Sequence, residues 1–91
     1  MILKAIITVI GKDQIGIIAG TSNVLSDLKV NILDISQTIL ESYFTMIMLV
    51  DLSSMEISFS DLKTNLDNKG KLLGVSIIIQ HEDIFNTMHN L

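Results

Sequence analysis

Apolar residues dominate positions 3–10 with only weak alternation, the pattern of a strand covered on both faces. Gly11 is expected to stop it, and Gly11-Lys12-Asp13-Gln14-Ile15-Gly16 follows as a polar, glycine-flanked loop. From residue 16 to 28 the spacing turns helical, with Ile17, Val24 and Leu28 on one face and Ile18 and Leu25 beside them. Asp13 stands where a carboxylate can cap the first N–H groups and complement the helix dipole. Lys29-Val30-Asn31 forms the return turn. A second strand over residues 31–40 alternates, Leu33, Ile35 and Ile39 against Asp34, Ser36 and Thr38.

Glu41-Ser42 is short enough for a hairpin into a third strand, residues 43–52. There Phe44, Met46, Met48 and Val50 oppose Thr45, Ile47 and Leu49, so both faces are again apolar. Ser58, with Asp61 three residues on, reads as the N-cap of a second helix whose buried stripe is Phe59, Leu62 and Leu66. Gly70 is the expected residue just past its end. Residues 73–80 predict a fourth strand, and Ile84, Phe85, Met88 and Leu91 lie at helical spacing in a short tail helix, 82–91. The order βαββαβ predicts one α+β domain over residues 1–91: a ferredoxin-like sandwich with two helices on one face of a four-stranded antiparallel sheet. Helices cover one apolar face. The other is expected to take a second subunit.

Composition sharpens this picture. Of 91 residues 48% are hydrophobic and 18% charged, below the ~25% of ordinary domains, and mean hydropathy is +0.54. Apolar surface left over from the core favours a homodimer or higher oligomer. Net charge is −4 and every basic residue is Lys, so no Arg serves phosphate or base contacts, and neither nucleic acid nor an anionic membrane is an expected partner. Lys12, Asp13 and Gln14 break the N-terminal apolar run, no small-residue cleavage site follows, and no stretch reaches the ~20 apolar residues of a membrane span. The expected location is the cytoplasm.

The fold hosts many activities, so function must come from a site. With aromatics at 4%, the strands lack the stacking residues of an RNA-recognition module. Zero Cys excludes a thiolate metal carrier, and the absence of Arg excludes an arginine-based acyl-phosphate hydrolase. His81 and His89 do not make a metal set by spacing, and no nucleophilic triad or carboxylate pair can be read. No metal, cofactor or catalysis is expected. Exposed N–H groups where the loop enters the helix can receive a polar or anionic ligand, with Asn31 as partner position.

Residues 4–52 resemble an ACT domain, the amino-acid-sensing module of allosteric enzymes. The resemblance is carried by the apolar first strand, by Asp13-x-x-Gly16 opening a helix, and by Asn31-Ile32 starting strand two. Gly11-Lys12-Asp13 with Gly16-Ile17, then Asp34-Ile35-Ser36-Gln37-Thr38 and Tyr43-Phe44-Thr45-Met46, resemble the short bacterial proteins that consist of one such domain. Many of the family carry Pro before the loop glycine, where this chain has Ile15. The resemblance implies a non-catalytic regulatory homodimer that binds an effector, commonly an amino acid, at an interface and passes its level to a protein target. Family sites map onto Gly11, Lys12, Asp13, Gln14, Ile15, Gly16 and Ile17, and onto Asn31, Ile32 and Asp34. The alternative is an interaction module of the same fold that has lost its effector. Structural readings stand beside these: Gly16 as an unusual φ or a close packing point, Asn31 as a turn holder, Asp34 as a solvated strand residue.

Overall fold

A computed structural model describes residues 3–12 and 16–82. Strand β1 (Lys4–Lys12) runs two residues beyond the expected stop, because Gly11 stays in the ladder opposite Phe44. Helix α1 (Ile17–Asp27) returns the chain to the other end of the sheet, where β2 (Asn31–Leu40) begins. Glu41-Ser42 turns into β3 (Tyr43–Asp51), with Glu41 at φ 56° and Leu40 paired to Tyr43. Helix α2 (Phe59–Leu73) and β4 (Ser76–His81) complete the order. The sheet reads β2-β3-β1-β4 and every pairing is antiparallel, so the βαββαβ sandwich predicted from the pattern is the observed fold. Asp13 as a cap and the tail helix beyond Glu82 lie outside the described residues.

The core lies between sheet and helices. Ala5, Ile7 and Val9 of β1, Phe44, Met46, Met48 and Val50 of β3, and Ile77 and Ile79 of β4 are buried against Ile17 and Leu25 of α1 and Leu62 and Leu66 of α2. The α1 stripe is Ile17-Thr21-Leu25, not one that includes Ile18, which is 40% exposed. Thr21 is tolerated in the core because its hydroxyl donates to the Ile17 carbonyl at 2.8 Å.

Helix α2 starts as read, the Ser58 side chain accepting from the Asp61 amide at 3.0 Å. Its end is a correction. Gly70 is a buried position inside the helix, in step with Leu62 and Leu66, and the chain stops at Gly74 in the left-handed conformation, φ 72°. Strand four consequently begins at Ser76, three residues later than expected. In β2 the pairing slips between Ile32 and Asp34, so Leu33 occupies a bulge and does not continue the Ile35–Ile39 row. Past β3, Asp51 accepts from the amide of Ser53 at 2.9 Å and from its hydroxyl; these bonds, with the Leu3 amide and nearby Lys4, hold its carboxyl below the usual carboxylate range.

Candidate functional site

The residues singled out from the sequence fall at two ends of the sheet. Lys12 is exposed at the end of β1, opposite Tyr43. Gly16 opens α1 at φ 95°, ψ −3°, a left-handed conformation that disfavours any side chain. Among the described residues a Cβ built there would meet nothing within 4 Å, so what marks Gly16 is its backbone angle and not close packing against them. It offers no side-chain cap, and the first turn of α1, Ile17-Ile18-Ala19, contains no acid. Among the described residues no side chain caps the entrance of α1, where first-turn N–H groups carry partial positive charge. Ile17 itself is buried in the core. Asp13, Gln14 and Ile15 lie outside the described residues.

Asn31 and Ile32 sit at the opposite end, paired with Asp51 and Val50. Asp51 also pairs with Lys4, the first residue of β1, while Lys12 is its last. Eight strand steps of about 3.3 Å therefore put roughly 26 Å between the two groups. Within one chain they form no common pocket. Asp34 falls in neither group: it is exposed on the sheet face away from the helices, its Oδ1 accepting from the Ile35 amide at 2.8 Å.

What the structure gathers around Asn31 is a wide cleft of about 510 Å³ between the flank of α1 and the start of β2, lined by Ser22, Ser26, Lys29, Val30, Asn31 and Ile32. Ser22, Ser26 and Lys29 did not stand out in the sequence. Their signal is there: Ser22 and Ser26 lie four apart on α1, adjacent to the buried Thr21–Leu25 row, and so mark a small-residue flank. Lys29 holds a left-handed φ of 61°, unusual away from glycine, while the Val30 amide bonds to the Leu25 carbonyl at 2.9 Å and locks the turn. Its ammonium meets Glu56 at 2.8 Å, but both side chains are mostly exposed and such a pair contributes only about 0–1 kcal/mol, so Lys29 can exchange it for a ligand. The cleft thus offers two hydroxyls, one amide and one mobile cation beside an apolar floor. It suits a small zwitterion or carboxylate.

The flank beyond this cleft is a free strand edge. Among the described residues β2 pairs only with β3, and Ile35 and Ile39, which face the helix layer, remain 39% and 59% exposed. Among the described residues no three of His, Cys, Asp and Glu come together to hold a metal, and no helix is long and apolar enough to cross a membrane.

Comparison with known proteins follows the same lines. A family model described as ACT domain matches residues 4–80. A UPF0237 protein of Clostridium acetobutylicum is 65% identical over 89 residues, covering 98% of this chain and all of that one. A solved ACT domain protein from Streptococcus pneumoniae superposes with a TM-score of 0.81 at 47% identity, over 91% of this chain and 93% of the other. A putative glycine cleavage system transcriptional repressor shares the fold, TM-score 0.73 at 21% identity, over 89% of this chain and 46% of its own.

Proposed function

The chain belongs to the ACT domain family, whose members bind small-molecule effectors in regulatory proteins, and from that premise we propose that it is a non-catalytic sensor of an amino acid or related metabolite, bound where two copies meet. The observation that carries this reading is the Asn31–Ile32 cleft lying against the unpaired edge of β2. Two copies joined antiparallel along β2 reverse one another. The entrance of α1 at Gly16 of each then comes to the Asn31 end of the other, closing the 26 Å gap. Ile35 and Ile39 supply the apolar contact under that junction. Lys12 and Gly16 thereby come to the end where Asn31 and Ile32 of the second copy stand, and Gly11, Asp13, Gln14 and Ile15 complete the proposed set of ligand-binding residues.

Two measurements test this. Ligand first: a metabolite that binds only the native state at ~100 times its dissociation constant contributes about 2.7 kcal/mol. In a domain of this size that raises the melting midpoint by about 10 °C or more. The panel comprises the twenty amino acids, then nucleotides and folates, at fixed protein concentration. At least one is expected to give such a shift, and Asn31→Ala is expected to reduce it. Silence from all of them at millimolar concentration favours an interaction module without effector.

Oligomeric state is the second. Light scattering after size exclusion is expected to show at least two chains per particle. Ile39→Lys, which adds a charge to the uncovered edge, is expected to shift the protein to single chains with its circular dichroism unchanged. A wild-type monomer at high concentration removes the interfacial site.

A further inference from the structure

Two hollows are lined by the α1–β2 turn, and Lys29 is the residue they share. The larger is the cleft beside Asn31; the smaller, about 80 Å³, is lined by Asp27, Leu28, Lys29, Glu56 and Ile57. Charge divides unevenly between them. Among the described residues that line the cleft Lys29 is the only charged one, whereas the smaller hollow adds two carboxylates, Asp27 and Glu56. The Lys29 ammonium lies 2.8 Å from Oε1 of Glu56. The one cation of the cleft is thus committed to a carboxylate outside the cleft wall.

The turn leaves its side chain free to move. Lys29 is held at φ 61°, and its amide donates to the Ser26 carbonyl at 3.1 Å. The amides on either side, those of Leu28 and Val30, donate to the Val24 and Leu25 carbonyls at 3.1 and 2.9 Å. The backbone is fixed while the flexible four-carbon stem, 61% exposed, is not. On the other partner's side, Met55 and Ile57 pack against the core and anchor the connector. Glu56 can therefore lose its counter-ion without the connector moving.

We infer that Glu56 is a built-in competitor for the cleft, and that a carboxylate ligand binds by taking the Lys29 ammonium from it; the inference rests on the cleft being the effector site, as proposed above. At the ammonium the exchange is nearly even, one carboxylate for another. The balance is tipped by what the ligand touches and Glu56 does not: the hydroxyls of Ser22 and Ser26, the Asn31 amide and the apolar floor. A molecule of the same shape without a carboxylate leaves the ion pair in place. Glu56 then sets the concentration at which the cleft fills. By reciprocity, whatever weakens the pair strengthens carboxylate binding by the same factor. The exposure of the pair limits that factor to about five-fold.

The test is titration calorimetry on the full chain with the twenty amino acids, each compared with its own α-carboxamide. Glu56→Gln is expected to bind a responding amino acid about two- to five-fold more tightly and to leave carboxamide binding unchanged. Lys29→Gln is expected to bind the amino acid about ten-fold less tightly. Melting curves check that the variants are folded. Loss of a negative charge also tightens binding through the general field, and two comparisons separate that effect from competition. Asp27→Asn removes the neighbouring carboxylate and should change affinity by less than about two-fold. Adding Glu56→Gln to Lys29→Gln should change nothing, because no ammonium is left to contest. A second readout is the Glu56 carboxyl carbon resonance in isotope-labelled protein. Saturation with the unlabelled amino acid should move it toward its position in Lys29→Gln. Unchanged amino-acid affinity in either single variant, an equal gain from Glu56→Gln with and without Lys29, or a carboxyl resonance that stays in place at saturation overturns the exchange and leaves the sensor reading standing. Absence of binding by all twenty amino acids at millimolar concentration removes that reading, and the exchange with it.

Discussion

Gly70→Val is expected to lower stability by roughly 2–4 kcal/mol. A Cβ at Gly70 would lie 2.8 Å from the Val75 carbonyl oxygen and 3.4 Å from Cγ1 of Ile77. The nearest obstacle is backbone and cannot swing aside as a side chain would. Nor can the segment retreat freely, since the amides of Gly74 and Val75 both donate to the Gly70 carbonyl, the latter at 2.9 Å. Overpacking costs about 1–3 kcal/mol and a loosened hydrogen bond about 0.5–1.5 kcal/mol. The better helix propensity of a residue other than glycine offsets only a few tenths of this for Val. At about 4–8 °C per kcal/mol the melting midpoint should fall by roughly 10–20 °C or more. Gly70→Ala should follow in the same direction by less, because it adds the clashing Cβ alone and recovers more propensity. A Val variant that melts within about 3 °C of wild type would mean that the helix end yields freely, against the geometry described.

Gly16→Val is expected to act on binding and stability together, by a different route. No described residue crowds that position, so the cost is torsional: a β-branched residue forced to φ 95° should lose about 1–3 kcal/mol, or shift the helix entrance to relieve it. Either response moves the N–H groups of the first turn. The thermal shift produced by the effector should therefore disappear, beyond the fall in the unliganded midpoint. Gly16→Asn supplies the comparison, because Asn tolerates the left-handed region and should keep part of both properties. Full effector response in the Val variant, measured by calorimetry at equal folded fraction, would remove the β1–α1 entrance from the site.

Much of the fold was legible, and the errors share a cause. β2 was bounded correctly because its period-two pattern sits between a turn and a two-residue hairpin, local signals that packing does not override. Gly11 and Gly70 were both read as stops, since glycine is a local breaker, yet both serve close approach to the segment around Val75. For Gly70 a clue existed: it continues the four-residue spacing of Leu62 and Leu66, which places it on the buried side. Thr21 escaped an apolar pattern because its polarity is satisfied inside its own helix. The site was half legible. That Asn31 and the loop lie at opposite ends follows from connectivity, as a helix between two neighbouring elements carries the chain back along the sheet. The cleft residues Ser22, Ser26 and Lys29 could not be weighed without knowing which flank of α1 met the strand edge.

The place of β1 in the sheet has a consequence for the protein's synthesis. β1 lies between β3 and β4, and Ile7 is paired to Met48 on one side and to Ile79 on the other. A ribosome working at about 5–20 residues per second needs roughly 4–14 s to pass from the first of these strands to the last. Through that interval one of the most apolar segments of the chain has been made and one of its two neighbours has not. Nascent chains crowded on one message therefore carry unpaired strand edges of the same sequence, able to pair with each other before β4 exists. Rapid formation of the β2–β3 hairpin, on a scale of about 1–10 μs, gives β1 an early partner on one flank and halves the exposed edge until translation ends.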